Sequence, residues 1–168
     1  MLRIRLAEKK DAFAVATINT LGWKTAYRGL VPDSILDAME VSEKRIKRTE
    51  EAIATVEIYL VAENEHGVVG FLVGGKTKNK DVPYPYEIYV FYVHPDHWRS
   101  GIGTALIKAF KEKVQGASFC VYMLDGNEKA LHFYQKMGGI RQPEFDCDAE
   151  INHMMMHDIC LGFKGINE

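Results

Sequence analysis

Between Tyr86 and Leu124 the chain changes its hydrophobic period twice, and this change restricts the fold more than any other feature. The stretch "YEIYVFYV", residues 86 to 93, is aromatic and β-branched on both faces, the pattern of a central strand covered on two sides. After a short loop, Ile102, Ala105, Leu106, Ala109, Phe110 and Val114 recur at helical spacing, which predicts an amphipathic helix over 101–115. "ASFCVYML" returns to a strand pattern. Strand, helix, strand is a crossover, right-handed in nearly all folds, and it makes the two strands parallel neighbours.

The rest of the chain reads around that unit. "LRIRL" alternates as a first strand, residues 11 to 27 are helical, and "VPDSILDAM" and "SEKRIKRTEEAI" predict two short helices starting near Pro32 and Ser42. "VEIYLVAEN" and "GVVGFLVGGK" form a hairpin turning at "NEHG". "NEKALHFYQKM" is a helix stopped by Gly138 and Gly139, and "AEINHMMMHDICL" is a closing strand in which Met154 and Met156 share one face. The expected class is α+β, a mixed, mostly antiparallel twisted sheet of about six or seven strands with a parallel pair in the middle and about four or five flanking helices.

The 168 residues, 47% of them hydrophobic, suit one domain over 1–168, and no linker or repeat divides them. The net charge of -2, from 21 basic and 23 acidic residues well mixed, carries no footprint for nucleic acid or an anionic membrane. Cys120, Cys147 and Cys160 are odd in number and lack CxxC spacing, so neither a zinc site nor a disulfide framework is expected. With no signal-like or membrane-length apolar run, the expected location is the cytoplasm. His94 and His97 beside Asp96 have no further ligand nearby, and no metal is expected.

The loop "HPDHWRSGIG" places Gly101 and Gly103 where the helix must begin. A helix N-terminus offers unpartnered amides and about half a positive charge, and glycines there let a phosphate approach the amides of Ser100 to Thr104. The same glycines also suit a turn used only for close packing. Leu106 stands where a dinucleotide fingerprint needs a third glycine, and the Gly-Lys-Ser/Thr ending of a Walker loop is absent.

Val93, Pro95, Gly101, Gly103 and the following "TALIKAF" resemble the acyl-CoA-binding motif of the GNAT superfamily of N-acetyltransferases, with Trp98 replacing its usual Gln or Arg and Arg99 next to it. "NEKALHFYQKMGG" is similar to the family's Asn-x-x-Ala-x-x-Phe-Tyr helix, with Gly139 in place of a final Phe. The resemblance implies the GNAT fold with a splayed parallel pair. It also implies transfer of an acetyl group from acetyl-CoA to an amine by direct attack, and coenzyme A contacts at Tyr92, Val93, His94, Trp98, Arg99, Ser100, Gly101, Ile102, Gly103 and Thr104. On the second motif the contacts fall at Asn127, Ala130, Phe133 and Tyr134. Asn127 and Tyr134 share one helical face about 10 Å apart, which suits a ligand arm lying along the helix. They equally suit a helix cap and a core tyrosine.

Such a transfer needs a neutral amine, although an alkyl ammonium with a pKa of about 10 is almost wholly protonated at neutral pH, and it needs a proton for the leaving thiolate. The resemblance implies Glu87 as base, directly or through water, Tyr134 as acid, and a backbone N–H near Tyr92 to His94 as oxyanion donor. On a regular strand Glu87, Tyr89, Phe91 and Val93 share a face. The acceptor walls implied by the family are "GWKTAYRGLVPD", with Trp23 and Tyr27, and the acidic "EFDCDAEI", with Asp146 and Asp148, which favours a small cationic amine. A peptide amine as acceptor, a non-catalytic acyl-CoA sensor, and pairing into a homodimer are left open by the sequence.

Overall fold

The computed structural model describes all 168 residues. In chain order the elements are β1 (Arg3–Leu6), α1 (Ala12–Ala26), α2 (Asp33–Ala38), α3 (Glu43–Thr55), β2 (Ile58–Asn64) and β3 (Gly67–Lys76). They continue as β4 (Tyr86–Val93), α4 (Ile102–Lys113), β5 (Phe119–Leu124), α5 (Glu128–Lys136), β6 (Ile140–Arg141), β7 (Cys147–Ile151) and β8 (Met154–Phe163). One sheet runs in the order β1-β2-β3-β4-β5-β8-β6, with β7 also pairing β8. Every pair is antiparallel except β4 and β5, the strands of the crossover. No helix is long and apolar enough to cross a membrane.

The sheet has eight strands against the six or seven expected, because the segment read as one closing strand is a hairpin and the two-residue β6 adds a further strand on β8. Asn152 and His153 take φ values of 52° and 62°, and two consecutive left-handed residues make the two-residue turn whose twist matches a hairpin. The apolar alternation through "INHMMM" conceals this turn. Within β8, Met156 is buried while Met155 is 71% exposed, so one face is core and the other faces water.

The helices divide between the two faces. Ile102, Leu106, Ile107 and Phe110 of α4 pack with Leu60, Leu72, Ile88, Phe119 and Phe163 into the larger core, where Phe110 meets the Phe119 ring edge-on at 5.1 Å and Phe119 stacks on Phe163 at 4.6 Å. On the opposite face, Val15 and Ile18 of α1 cover Tyr59, Val61, Phe71 and Val73. Leu36 of α2 closes the end over Leu124 and Met156.

A β-bulge interrupts β4. Val73 pairs with Val90 and Gly74 with Ile88, which leaves Tyr89 as an extra residue. A Cβ on Gly74 would lie 2.6 Å from the Glu87 carbonyl and 2.6 Å from the Phe110 ring, so only glycine fits opposite the bulge. The extra residue reverses the alternation beyond it. Tyr89, Val90 and Tyr92 face α1, whereas Phe91 and Val93 face α4 and α5. The shared face expected for Glu87, Tyr89, Phe91 and Val93 is therefore split at Tyr89.

One buried ion pair fastens the edge strand to the first helix. Arg5 on β1 grips Asp11 through two hydrogen bonds of 2.7 and 2.9 Å and also reaches Glu63 at 3.0 Å, while the Glu8 N–H donates to Asp11 at 2.8 Å. Asp11 is only 5% exposed. Asp11→Asn is expected to cost about 3 kcal/mol at neutral pH, because the Arg5 charge loses its main partner. Arg5, ahead of the Glu8 N–H, holds the Asp11 carboxyl below the usual carboxylate range. The contribution is therefore complete above about pH 4 and lost as pH falls through the lowered folded value, which denaturation of wild type and variant across pH measures.

Candidate active site

The parallel strands part almost as soon as they meet. β4 and β5 pair only at Tyr86–Phe119, Glu87–Cys120 and Ile88–Val121, yet β4 continues to Val93 and β5 to Leu124. The bulge at Tyr89 bends β4 away, and Phe91 packs on Phe133 and Tyr134 of α5 at centroid distances of 5.7 and 6.2 Å. The result is a V-shaped opening in the middle of the sheet.

The polar groups on its β4 edge follow from strand alternation. The His94 N–H donates to the Val69 carbonyl on β3 at 2.8 Å, so the N–H groups of Val93 and Phe91 point the other way, into the opening. The expected oxyanion region, Tyr92 to His94, thus contains one amide aimed at the opening, Val93, and Phe91 adds the next. The Val93 carbonyl accepts a 2.9 Å hydrogen bond from the Trp98 indole N–H. Trp98, at the motif position where Gln or Arg was expected, fastens the loop to the end of β4, and Lys129 lies over its ring at 5.1 Å.

The loop ends at the amide-rich start of α4. Arg99 and Gly101 have φ of 59° and 82°, and the Ala105 N–H donates to the Gly101 carbonyl at 3.0 Å as the first bond of the helix. The amides of Ile102, Gly103 and Thr104 therefore have no partner within the helix, and no side chain caps them. The Ser100 hydroxyl donates to the His97 carbonyl, and His94 Nδ1 accepts from the Asp96 N–H, which holds the loop in shape. The two glycines differ in purpose. Gly101 is set by its left-handed backbone with open space around it, while a Cβ on Gly103 would lie 3.0 Å from the Phe133 ring.

Across the opening, α5 begins at Asn127, whose side-chain oxygen accepts from the Ala130 N–H at 3.3 Å. Tyr134, one face along, is 6% exposed and ringed by Phe91, Phe133 and Phe163. Burial, and after it the neighbouring Tyr27, push its hydroxyl well above the ordinary tyrosine value, so at neutral pH it holds its proton. The Tyr27 and Tyr92 hydroxyls share a 3.0 Å hydrogen bond, and Trp23 packs edge-on against Tyr27 at 4.7 Å. Gly22 permits this, since a Cβ there would lie 2.4 Å from the Tyr92 ring.

Glu87 stands at the closed apex of the V, beside Cys120. Burial raises its carboxyl above the usual range, outweighing the opposing influence of Lys78. It is not gathered with Tyr134, whose environment is shared with Tyr27 and Tyr92. The two acidic residues proposed from the sequence are already engaged. Asp146 binds Arg141 through two 2.8 Å bonds and accepts the Cys160 N–H at 2.8 Å, and Asp148 meets His157 Nδ1 at 2.7 Å. A carboxylate passed over in the sequence, Asp158 on β8, is on the β8 face of Met156, which packs with Trp23 and Tyr27, and its charge opposes ionisation of both Tyr27 and Tyr92. Its signal was a charge on the same alternating face as Met156 and Cys160.

Residues 55–138 match the acetyltransferase (GNAT) domain family. The chain is 25% identical to YuaI of Bacillus subtilis (strain 168), an uncharacterized N-acetyltransferase, over 99% of this chain and 95% of that one. Its fold matches the PaiA N-acetyltransferase of Thermoplasma acidophilum, solved in complex with coenzyme A, at a TM-score of 0.76 and 18% identity, covering 98% and 99% of the two chains. YncA of Salmonella typhimurium, solved with its cofactor acetyl-CoA, matches at a TM-score of 0.67 and 18% identity, covering 97% and 93%.

The two tight backbone positions separate by mechanism. Gly101→Ala is expected to cost about 1 kcal/mol through its left-handed φ alone. Gly22→Ala is expected to cost about 2 kcal/mol by driving the Tyr92 ring off α1. Denaturant midpoints of the two variants measure both.

Proposed function

Because the chain belongs to the GNAT acetyltransferase family, we propose that it moves an acetyl group from acetyl-CoA to a small amine held on the α1 face of the sheet. The observation that carries this reading is the continuity of unpaired amides, from Phe91 and Val93 on the open edge of β4 to Ile102, Gly103 and Thr104 at the head of α4. A pantetheine arm is a chain of amides and a diphosphate is an anion, and this path offers each its complement. Relatives of the same fold solved with coenzyme A or acetyl-CoA support the choice of donor.

On this reading the α4 amides hold the diphosphate, helped by Ser100, Arg99 and Lys129 at its rim. Ala130 and Phe133 form the wall of α5 along which the arm lies, and Asn127 fixes the start of that helix. Acetyl-CoA supplies an activated acetyl group when bound. The Phe91 and Val93 amides face the opening where carbonyl charge would develop, and fixed N–H donors of this kind stabilise it without reorganising. Tyr134, protonated and nearly buried, is assigned the proton for the departing thiolate. Glu87 is assigned the acceptor's proton through water, since its raised carboxyl at the apex favours proton uptake and lies outside direct contact with Tyr134. Trp23, Tyr27 and Tyr92 wall the acceptor side.

Purified protein given acetyl-CoA and a panel of amines should release thiol with at least one class, and failure with small amines and peptides alike would sink the transferase reading in favour of a sensor. Tyr134→Phe should lower kcat by about 10- to 1,000-fold with the affinity for acetyl-CoA nearly unchanged. An unaltered kcat would remove Tyr134 from proton transfer.

A further inference from the structure

Asp158 presents a chemical problem that the transfer reaction does not explain. Its carboxylate is half-buried, and no protein donor reaches it. Arg141 is spent on Asp146 and the Cys160 carbonyl, and His157, its chain neighbour, turns to Asp148. Burial raises its carboxyl, only partly offset by His157. Asp11 and Asp146, by contrast, are each gripped by an arginine. A carboxylate drawn partly out of water without a partner is costly, and a cation arriving from outside would offset that cost.

The register fixes where that cation would sit. Asp158 pairs with Leu124, the last residue of β5, at the mouth of the V, whereas Glu87 pairs with Cys120 at its apex. Four residues of β5 separate the two levels, about 13 Å of strand. Asp158 shares its face of β8 with Met156, whose cluster takes in Trp23 and Tyr27, and its charge opposes ionisation of Tyr27 and Tyr92. Aromatic faces and a carboxylate together favour an organic cation over a metal ion, and no group of three or more metal-ligating side chains is gathered anywhere in the structure.

We propose that Asp158 is the specificity-determining residue for the acceptor, and that it selects linear diamines by holding the far, cationic nitrogen while the near nitrogen reaches toward the apex. This rests on the acceptor side assigned above. Three probes on one four-carbon skeleton separate the charge of the far end: 1,4-diaminobutane ends in a cation, butylamine in a methyl group and 4-aminobutyrate in an anion.

Calorimetric titration of each into the coenzyme A-loaded protein should rank the diamine above butylamine and butylamine above the amino acid. Asp158→Asn should weaken the diamine by about 10- to 100-fold, the span of a lost charge-assisted hydrogen bond, and bring all three probes close together. It should leave coenzyme A affinity unchanged and the thermal midpoint equal or higher, because an unpaired charge has been removed. Asp158→Ser serves if the Asn variant does not fold. Equal affinities in the wild type, no diamine binding, or a preference that survives the substitution would overturn the proposal, as would a lowered midpoint with discrimination intact, which makes Asp158 structural. Thiol release measured with the same probes tests the transfer separately. Charge-selective binding without release would keep Asp158 as a cation-binding residue and remove the diamine as the acetyl acceptor.

Discussion

Everything at the centre of this molecule depends on two parallel strands that pair for three residues and then separate. In a regular sheet the inward amides of β4 would be consumed by β5, and the middle of the protein would be chemically inert. One extra residue, Tyr89, prevents this. It bends β4, exposes the Phe91 and Val93 amides, and turns Phe91 toward α5 and Tyr92 toward α1. A single insertion thus creates the opening and sets which aromatic ring lines each side of it.

The helices then hold that opening in shape. Gly22 lets the Tyr92 ring lie against α1, Gly74 accepts the bulge, and Gly103 lets Phe133 approach the first turn of α4. Each is a place where a side chain would push two elements apart. Gly101 differs, because its surroundings are empty and its left-handed backbone is what the turn into α4 requires. The question posed by a pair of glycines therefore has two answers, one steric and one conformational, and both leave the helix head uncovered.

Much of this was legible from the residues. The change of period after Tyr86 gave the crossover and the parallel pair, and the motif residues pointed to the family that the domain match establishes. The turn at Asn152 and His153 was hidden because apolar alternation runs through it, and alternation reports the face of a strand without reporting its end. The bulge was hidden for a related reason: one extra residue changes the face of its successors with no change in composition, so Phe91 and Val93 were assigned to the wrong side. The acidic run at 144–150 stood out by its density, while Asp158 stood alone. Whether a carboxylate is free depends on what lies across from it, and Arg141 and His157 become its neighbours' partners only once β6, β7 and β8 are assembled.

The acidic strand has its own consequence at the border of the sheet. β7 pairs with β8 on one side and has no strand on the other, so its outer backbone groups could template a further strand. Asp148 and Glu150 are exposed along it, only two residues apart. A second copy approaching edge to edge would bring the same charges against these and meet repulsion before any ladder could form. Exposed charge along this border thus works against its extension by a further strand.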